Sequence, residues 1–365
     1  MHGSLRIAST LSMVEYAKSM SYHIQTFPDQ YKKQKKNLLV QMNKRWFADG
    51  SFEVLVEESV RDNDVVLVTG SSRTEETSFA DNELELYYTI DALRRASPSR
   101  LTVFEPYCAV SRSDRATTRN SVGMWVHYKI LQSLGMDHYM TYMLHSDKSK
   151  SIFDPTRSVI DDLPTSPLII EYILDEFIIK SGLTLEEVRK NWVFCAVDAG
   201  GAGVARLYAN TFGTPLVVAH KIRNHKKPNQ VDSIKILSSV SLEGKIVWVV
   251  DDMVDTGGSI LILMQELKKQ GASRINVAIS HGVCSPPALA RLQDAYEKDI
   301  FESFVITNTI LPPGIKDVPF VRIIDTTRHG ASVLIRMHEG ESLSPFFDPF
   351  DVERHIEQSA HKFDH

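Results

Sequence analysis

The stretch from Lys245 to Ile260, K-I-V-W-V-V-D-D-M-V-D-T-G-G-S-I, constrains the fold more than any other part of the chain. Ile246 to Val250 is an unbroken apolar run rich in β-branched residues. Such runs form strands buried on both faces of a parallel sheet. Asp251 and Asp252 stand where that strand is expected to end. Asp255-Thr256-Gly257-Gly258-Ser259 follows as a turn of small residues. Positions 261–270 then read as an apolar helical segment, with Gly271 in the place of a C-terminal cap.

Strand, small-residue turn and helix together make a phosphate cradle. Glycines let backbone N–H groups approach an anion, Thr256 and Ser259 add hydroxyl donors, and the helix N-terminus contributes a favourable dipole. Two carboxylates beside a phosphate require something between them: sugar hydroxyls, a Mg²⁺ ion, or both. The plainer reading is a βα turn whose Thr and Ser cap the helix. The hydrophobic strand directly before Asp251-Asp252 favours the binding reading.

The totals narrow the class. A chain of 365 residues is long for one core and suggests two domains. Hydrophobic content of 43% and charged content of 24% are those of a globular protein. A net charge of −5 gives no case for a nucleic-acid surface. No apolar run approaches the roughly 20 residues of a membrane span. The N-terminus lacks the basic-then-apolar pattern of a signal peptide, so a cytoplasmic protein is expected. Cys108, Cys195 and Cys284 are few and widely spaced, which disfavours a disulfide framework or a zinc site.

Other segments carry weaker signals. Lys32, Lys33, Lys35 and Lys36 read as a solvated loop. Arg45-Trp-Phe-Ala-Asp-Gly-Ser51 is a turn with a packed ring, or an adenine platform. Arg112, Asp114 and Arg115 follow a predicted strand over 101–105, at the edge where α/β sheets bind ligands. His145 ends the predicted strand 138–144. The proline-containing stretch 152–167 reads as a connection between domains. A strand over 192–197 runs into Asp198-Ala-Gly-Gly-Ala-Gly203, a second candidate for phosphate or metal; its spacing does not fit a dinucleotide fingerprint. His220 to Asn229 is a dense basic segment. Beside two phosphate cradles, it suits a mobile loop that closes over a charged transfer reaction. Residues 346–365 read as a loosely held tail.

The Asp251–Ser259 stretch resembles the phosphoribosyl-pyrophosphate loop of the type I phosphoribosyltransferase fold. The wider text Asp91-Ala-Leu-Arg-Arg-Ala-Ser97, Arg112-Ser-Asp-Arg115, His145 with Phe153-Asp154, Asp198-Ala-Gly-Gly201 and Lys221-Ile-Arg223 resembles, from about Leu5 to Glu341, the ribose-phosphate pyrophosphokinase (phosphoribosyl pyrophosphate synthetase) family. That resemblance implies two tandem phosphoribosyltransferase-like α/β domains, each with a mainly parallel sheet flanked by helices. The expected boundaries are 1–158, joined by a returning helix at about 331–345, then 159–330, then the tail 346–365. It also implies a homo-oligomer, hexameric by family.

The implied activity transfers the pyrophosphoryl group of MgATP to the 1-hydroxyl of ribose 5-phosphate, giving phosphoribosyl pyrophosphate and AMP. By the same resemblance Phe47 stacks on adenine, Asp49-Gly50-Ser51 forms the ATP turn, and Arg112, Ser113 and Asp114 contact ATP. His145 and Asp198 position Mg²⁺. Lys221 and Arg223 stabilise the moving phosphoryl group, and Arg223 also reaches the sugar phosphate. Asp251, Asp252, Asp255, Thr256, Gly257, Gly258 and Ser259 hold ribose 5-phosphate. No nucleic-acid or membrane partner is implied.

The chain departs from the family in the tip loop after Asp114, in the tail after Glu341 and at four single residues. Ser51 replaces Glu, Ser113 replaces Gln, Met143 replaces an Asp, and Ile222 replaces a basic residue. These departures sit mainly on the ATP side. One rival reading is a non-catalytic regulatory homologue that binds nucleotide, and a second is a phosphoribosyltransferase acting on a base.

Overall fold

The computed structural model describes residues 3–27, 38–223 and 231–363, with side chains at all of these except 221–223, 231–233 and 360–363. The four lysines of the expected loop at 28–37 lie outside the described residues, as does 224–230 of the basic segment. The chain divides into two compact units, 1–164 with 325–348, and 165–324 with 349–365.

Unit 1 is built on strands β1 (Leu5–Ser9), β4 (Asp64–Val68), β5 (Arg100–Phe104), β6 (His138–Tyr142) and β7 (Val159–Leu163), with β2 (Met42–Trp46) and β3 (Phe52–Val56) as a separate hairpin. The five-stranded sheet has the order β1-β4-β5-β6-β7 and every pair is parallel. Alternation along β4 shows why both faces are covered. Val66 and Val68 pack towards helix α1 (Val14–Thr26) and the helix Thr327–Glu339. Val65 and Leu67 pack towards α2 (Phe79–Arg95) and α3 (Gly123–Ser133). Ser78 starts α2 with a capping box, its side chain bonded to the Asp81 N–H while Asp81 reaches back.

Unit 2 holds β8 (Trp192–Ala196), β9 (Leu216–Arg223), β10 (Val231–Leu237), β11 (Ile246–Val254), β12 (Arg274–Gly282), β13 (Ser303–Thr307) and β14 (Val321–Ile324). They form one sheet in the order β10-β9-β8-β11-β12-β13-β14, parallel except at the β10–β9 edge. Helices α4 (Ser166–Ile173), α5 (Leu185–Asn191) and α6 (Ala202–Phe212) cover the face bearing Phe194 and Trp248. Helices α7 (Gly258–Lys269) and α8 (Ala288–Glu297) cover the face bearing Val247 and Val249. Gly271 follows α7 at φ +90°, the left-handed backbone its capping position requires.

Several expectations change. The strand placed at 38–42 is only a bridge from Leu39 to Ile7, and the pairing strand starts at Met42 because β3 offers it a partner. The stretch read as a domain connection contains β7, whose polar Asp161 and Asp162 are tolerated at a sheet edge. His220 to Arg223 is the end of β9 rather than loop. The expected loose tail carries a helix, Val352–Phe363, which packs on residues 174–179 and adds the buried Val352 to the core of unit 2.

The hairpin is fixed to α2 by a buried ion pair. Lys44 Nζ lies 2.7 Å from Glu85 Oε2, with both side chains 5% exposed, and 4.1 Å from the centre of the Phe52 ring. Glu85 Oε1 also accepts the Leu11 N–H at 2.6 Å. Removing one member of such a pair leaves a buried charge uncompensated. Glu85→Ala is therefore expected to destabilise unit 1 by about 3–5 kcal/mol, read by urea titration of tryptophan fluorescence. Lys44→Met with Glu85→Leu is expected to recover most of that loss.

Candidate active site

The order of strands in unit 2 locates the site. The chain passes from β8 to β9 on one side, then returns to lay β11 against the other side of β8. Ligands of open α/β sheets bind at such a reversal, outside the C-terminal strand ends. β8 pairs with β11 only as far as Ala196 opposite Val250. β11 continues beside β12 through Val254 opposite Gly282. The expected strand end at Asp251-Asp252 is thus corrected. The strand runs on, because β12 still supplies a ladder, while the β8 side opens at Asp251.

Asp198 and Gly200-Gly201 turn away from β8 into that opening. The Asp198 Oδ1 accepts the N–H of Gly200 at 2.8 Å and of Gly201 at 3.3 Å. A Cβ on Gly201 would sit 3.0 Å from Asp251 Oδ1, so glycine permits the acidic strand to come close. Burial first, then the charges of Asp252 and Asp198, hold the Asp251 carboxyl well above the usual carboxylate range. The Asp252 and Met253 N–H groups bond to Asp251 Oδ1 and Asp252 Oδ1 at 3.0 and 2.9 Å, which fixes both side chains beside the strand.

Gly257, at φ +75°, lets the chain turn into α7, whose first residue is Gly258. Asp255, Thr256, Gly257, Gly258 and Ser259 thus surround a helix N-terminus one short turn beyond Asp251-Asp252. Arg291 of α8 was not foreseen from the sequence. Its Nη1 donates to the Thr256 carbonyl at 3.1 Å and bolts the turn from behind. No local spacing joins it to the loop; only the packing of α8 beside α7 does. Lys221 and Arg223 close β9, parallel to β8 with Ala196 opposite Val218, so their backbone lies at the same sheet edge as Asp198. Their side chains lie outside the described ones.

The remaining expected residues belong to unit 1. Phe47 is 47% exposed at the hairpin tip. Asp49 folds back on its own turn: its Oδ1 accepts the Ser51 N–H at 2.9 Å and the Ser51 hydroxyl at 2.6 Å, which lowers the Asp49 carboxyl. Gly50 takes φ +87° between them. Arg112, Ser113 and Asp114 lie in the loop after β5. Ser113 Oγ accepts the Gly123 N–H at 2.8 Å, so that side chain starts α3. His145 is exposed just past β6, next to Leu144, whose N–H bonds to Asp162 Oδ1 at 3.0 Å.

A raised carboxyl sets the sign of a pH effect. The folded state holds the Asp251 proton more tightly than the unfolded chain does, so that stabilisation is complete below the ordinary carboxylate pKa and is lost as pH rises above it. Asp251→Asn is expected to raise the melting temperature at pH 8 in metal-free buffer, by about 2–4 °C for each kcal/mol relieved. The gain should shrink towards pH 4. A lower melting temperature for the variant at pH 8 would contradict the charge crowding.

Residues 7–135 match the family described as the N-terminal domain of ribose phosphate pyrophosphokinase, and residues 176–310 match the phosphoribosyl transferase domain family. A ribose-phosphate pyrophosphokinase of Prochlorococcus marinus subsp. pastoris is 32% identical over 303 residues, 82% of this chain and 84% of that protein. Ribose-phosphate pyrophosphokinase 1 of Streptococcus pyogenes serotype M1 is 31% identical over 305 residues, 83% of this chain and 88% of that protein. The fold is similar to that of phosphoribosylpyrophosphate synthetase from Mycobacterium smegmatis, with a TM-score of 0.76 and 24% identity, covering 93% of this chain and 100% of that one. Among the described residues no helix is long and apolar enough to cross a membrane. With these relatives along most of its length, the chain belongs to the ribose-phosphate pyrophosphokinase family.

Proposed function

We propose that this protein is a ribose-phosphate diphosphokinase, which converts MgATP and ribose 5-phosphate to phosphoribosyl pyrophosphate and AMP. The observation that carries the reading is the joining of Asp198, Asp251 and Asp252 with the 255–259 turn at one strand reversal. A polyol phosphate satisfies both halves of that arrangement. Its phosphate takes the backbone N–H groups and the hydroxyls of Thr256 and Ser259. Its ring hydroxyls donate to Asp251 and Asp252. Arg223 adds charge on the phosphate side.

The transfer is an in-line displacement. The ribose 1-oxygen forms a bond to the β-phosphorus of ATP, the bond from that phosphorus to the bridging α,β-oxygen breaks, and AMP leaves with that oxygen. The hydroxyl proton passes to solvent. Chemistry of this kind depends on positioning and charge neutralisation rather than on a covalent enzyme intermediate. Lys221 and Arg223 stabilise the moving group. In unit 1, Phe47 offers an exposed ring to the base, Asp49-Gly50-Ser51 forms the turn beside it, and Arg112, Ser113 and Asp114 bind the nucleotide.

A divalent cation fits the donor set, because Asp251, raised first by burial and then by the charges of Asp252 and Asp198, sits among hard carboxylate oxygens. Asp198 in unit 2 is a proposed Mg²⁺ ligand, as is His145 in unit 1 considered by itself, and bound Mg²⁺ would neutralise phosphate charge. The Asp49–Ser51 bonds and the Ser113–Gly123 bond occupy two of the departed positions with internal partners, so both side chains serve loop shape first. The reading includes a cytoplasmic homo-oligomer.

Wild-type protein with ATP, ribose 5-phosphate and Mg²⁺ is expected to release AMP only when both substrates are present. Lys221→Ala is expected to lower kcat by about a thousandfold. Nucleotide binding without AMP formation under any phosphate concentration would replace this reading with the non-catalytic homologue.

A further inference from the structure

Among the buried ionisable side chains of unit 1 that the proposed reaction does not use, His127, Glu83 and Glu105 lie together. His127, one turn into α3, is 2% exposed. Its Nδ1 lies 3.0 Å from Glu83 Oε2 on α2, and its Nε2 lies 3.4 Å from Glu105 Oε2, directly after β5. Glu105 also accepts the Tyr139 O–H at 2.6 Å and, on Oε1, the Ser71 N–H at 3.2 Å. Glu83 accepts the Tyr87 O–H. Burial alone would depress the His127 imidazolium, but Glu105 and Glu83 outweigh it and raise it to about 10. The ring lies between two carboxylates, 3.0 Å from Glu83 and 3.4 Å from Glu105, which favour its charged form.

Stability is a poor reason for such a group. Apolar side chains of similar volume commonly serve as well or better in place of a buried ionic triad. What the triad supplies is geometry. Glu105 stands at the start of the 106–122 loop and His127 just past its end. Between them lie Arg112, Ser113 and Asp114, and the loop returns to α3 through Gly123 N–H to Ser113 Oγ at 2.8 Å and Met124 N–H to Ser113 O at 3.1 Å. The same carboxylate of Glu105 ties in Ser71 at the end of β4.

We propose that Glu83, His127 and Glu105 are positioning residues that close the base of the 106–122 loop and so set the placement of Arg112 for nucleotide. The triad's clamp is independent of the reaction; its effect on nucleotide rests on the reading given above. None of the three touches substrate.

The test is a triple variant, Glu83→Leu with Glu105→Met and His127→Leu, and the single variant Glu105→Gln. The first readout is limited trypsin cleavage after Arg112, Arg115 and Arg119, followed by mass spectrometry. The second is KM for ATP against KM for ribose 5-phosphate. The triple variant is expected to melt within a few degrees of wild type, to be cut in the loop about tenfold faster, and to show a KM for ATP about tenfold higher, with the KM for ribose 5-phosphate unchanged. Glu105→Gln keeps one acceptor and should fall between.

A folded triple variant cut at the wild-type rate overturns the clamp. Equal shifts in both KM values overturn its bearing on nucleotide. If the triple variant does not fold, Glu105→Gln decides, and wild-type cleavage and KM there overturn the proposal. Faster loop cleavage in a protein whose wild type makes no AMP supports the clamp and removes the nucleotide reading alone.

Discussion

Crowded negative charge at the end of β8 and β11 is the constraint on which unit 2 depends. Asp198, Asp251 and Asp252 are brought together although Asp252 and Asp198 add to what burial already costs the Asp251 carboxylate. Strands β8 and β11 are buried on both faces, so the sheet fixes Asp251 and Asp252 on β11 and the strand end from which the Asp198 turn departs. A ligand that brings positive charge or hydroxyl donors would relieve this crowding. The adjoining helix N-terminus adds the opposite preference, for an anion. A phosphorylated sugar carries both hydroxyl donors and an anion.

Unit 1 handles charge differently. Lys44–Glu85 and the Glu83–His127–Glu105 triad are buried and internally compensated. They spend their interactions on fixing a hairpin and the stems of a loop to α2, rather than on holding a ligand. The residues expected to meet nucleotide lie on just those supported segments: Phe47, Asp49, Gly50 and Ser51 at the hairpin tip, Arg112 and Ser113 in the loop. Rigid anchors beneath exposed tips are a reasonable division of labour, because binding loops need free surface but must not wander.

Much of this was readable from short stretches. The β-branched run Ile246–Val250 announced a doubly buried strand, and Gly257-Gly258 announced the turn into a helix, because both signals are local. The edge strands β7 and β10 were missed for the opposite reason. An edge strand has one partner and one open side, so its side chains need not be apolar, and Asp161 and Asp162 hide it. The helix Val352–Phe363 was read as a tail because its apolar positions are sparse; Val352 finds its core only after α4 and α6 have assembled one.

The sequence by itself determined the class of chemistry. A parallel-sheet strand, paired aspartates and a glycine turn suffice, because each is a property of neighbouring residues and their preferred backbone. Only the tertiary structure decided what those residues meet. It carried β11 past the acids, set Gly201 against Asp251, placed Arg291 behind Thr256 and closed His127 between two glutamates far from it in the chain. Those facts depend on strand order and helix packing, and the cost or benefit of a buried charge is fixed by its neighbours in space rather than in sequence.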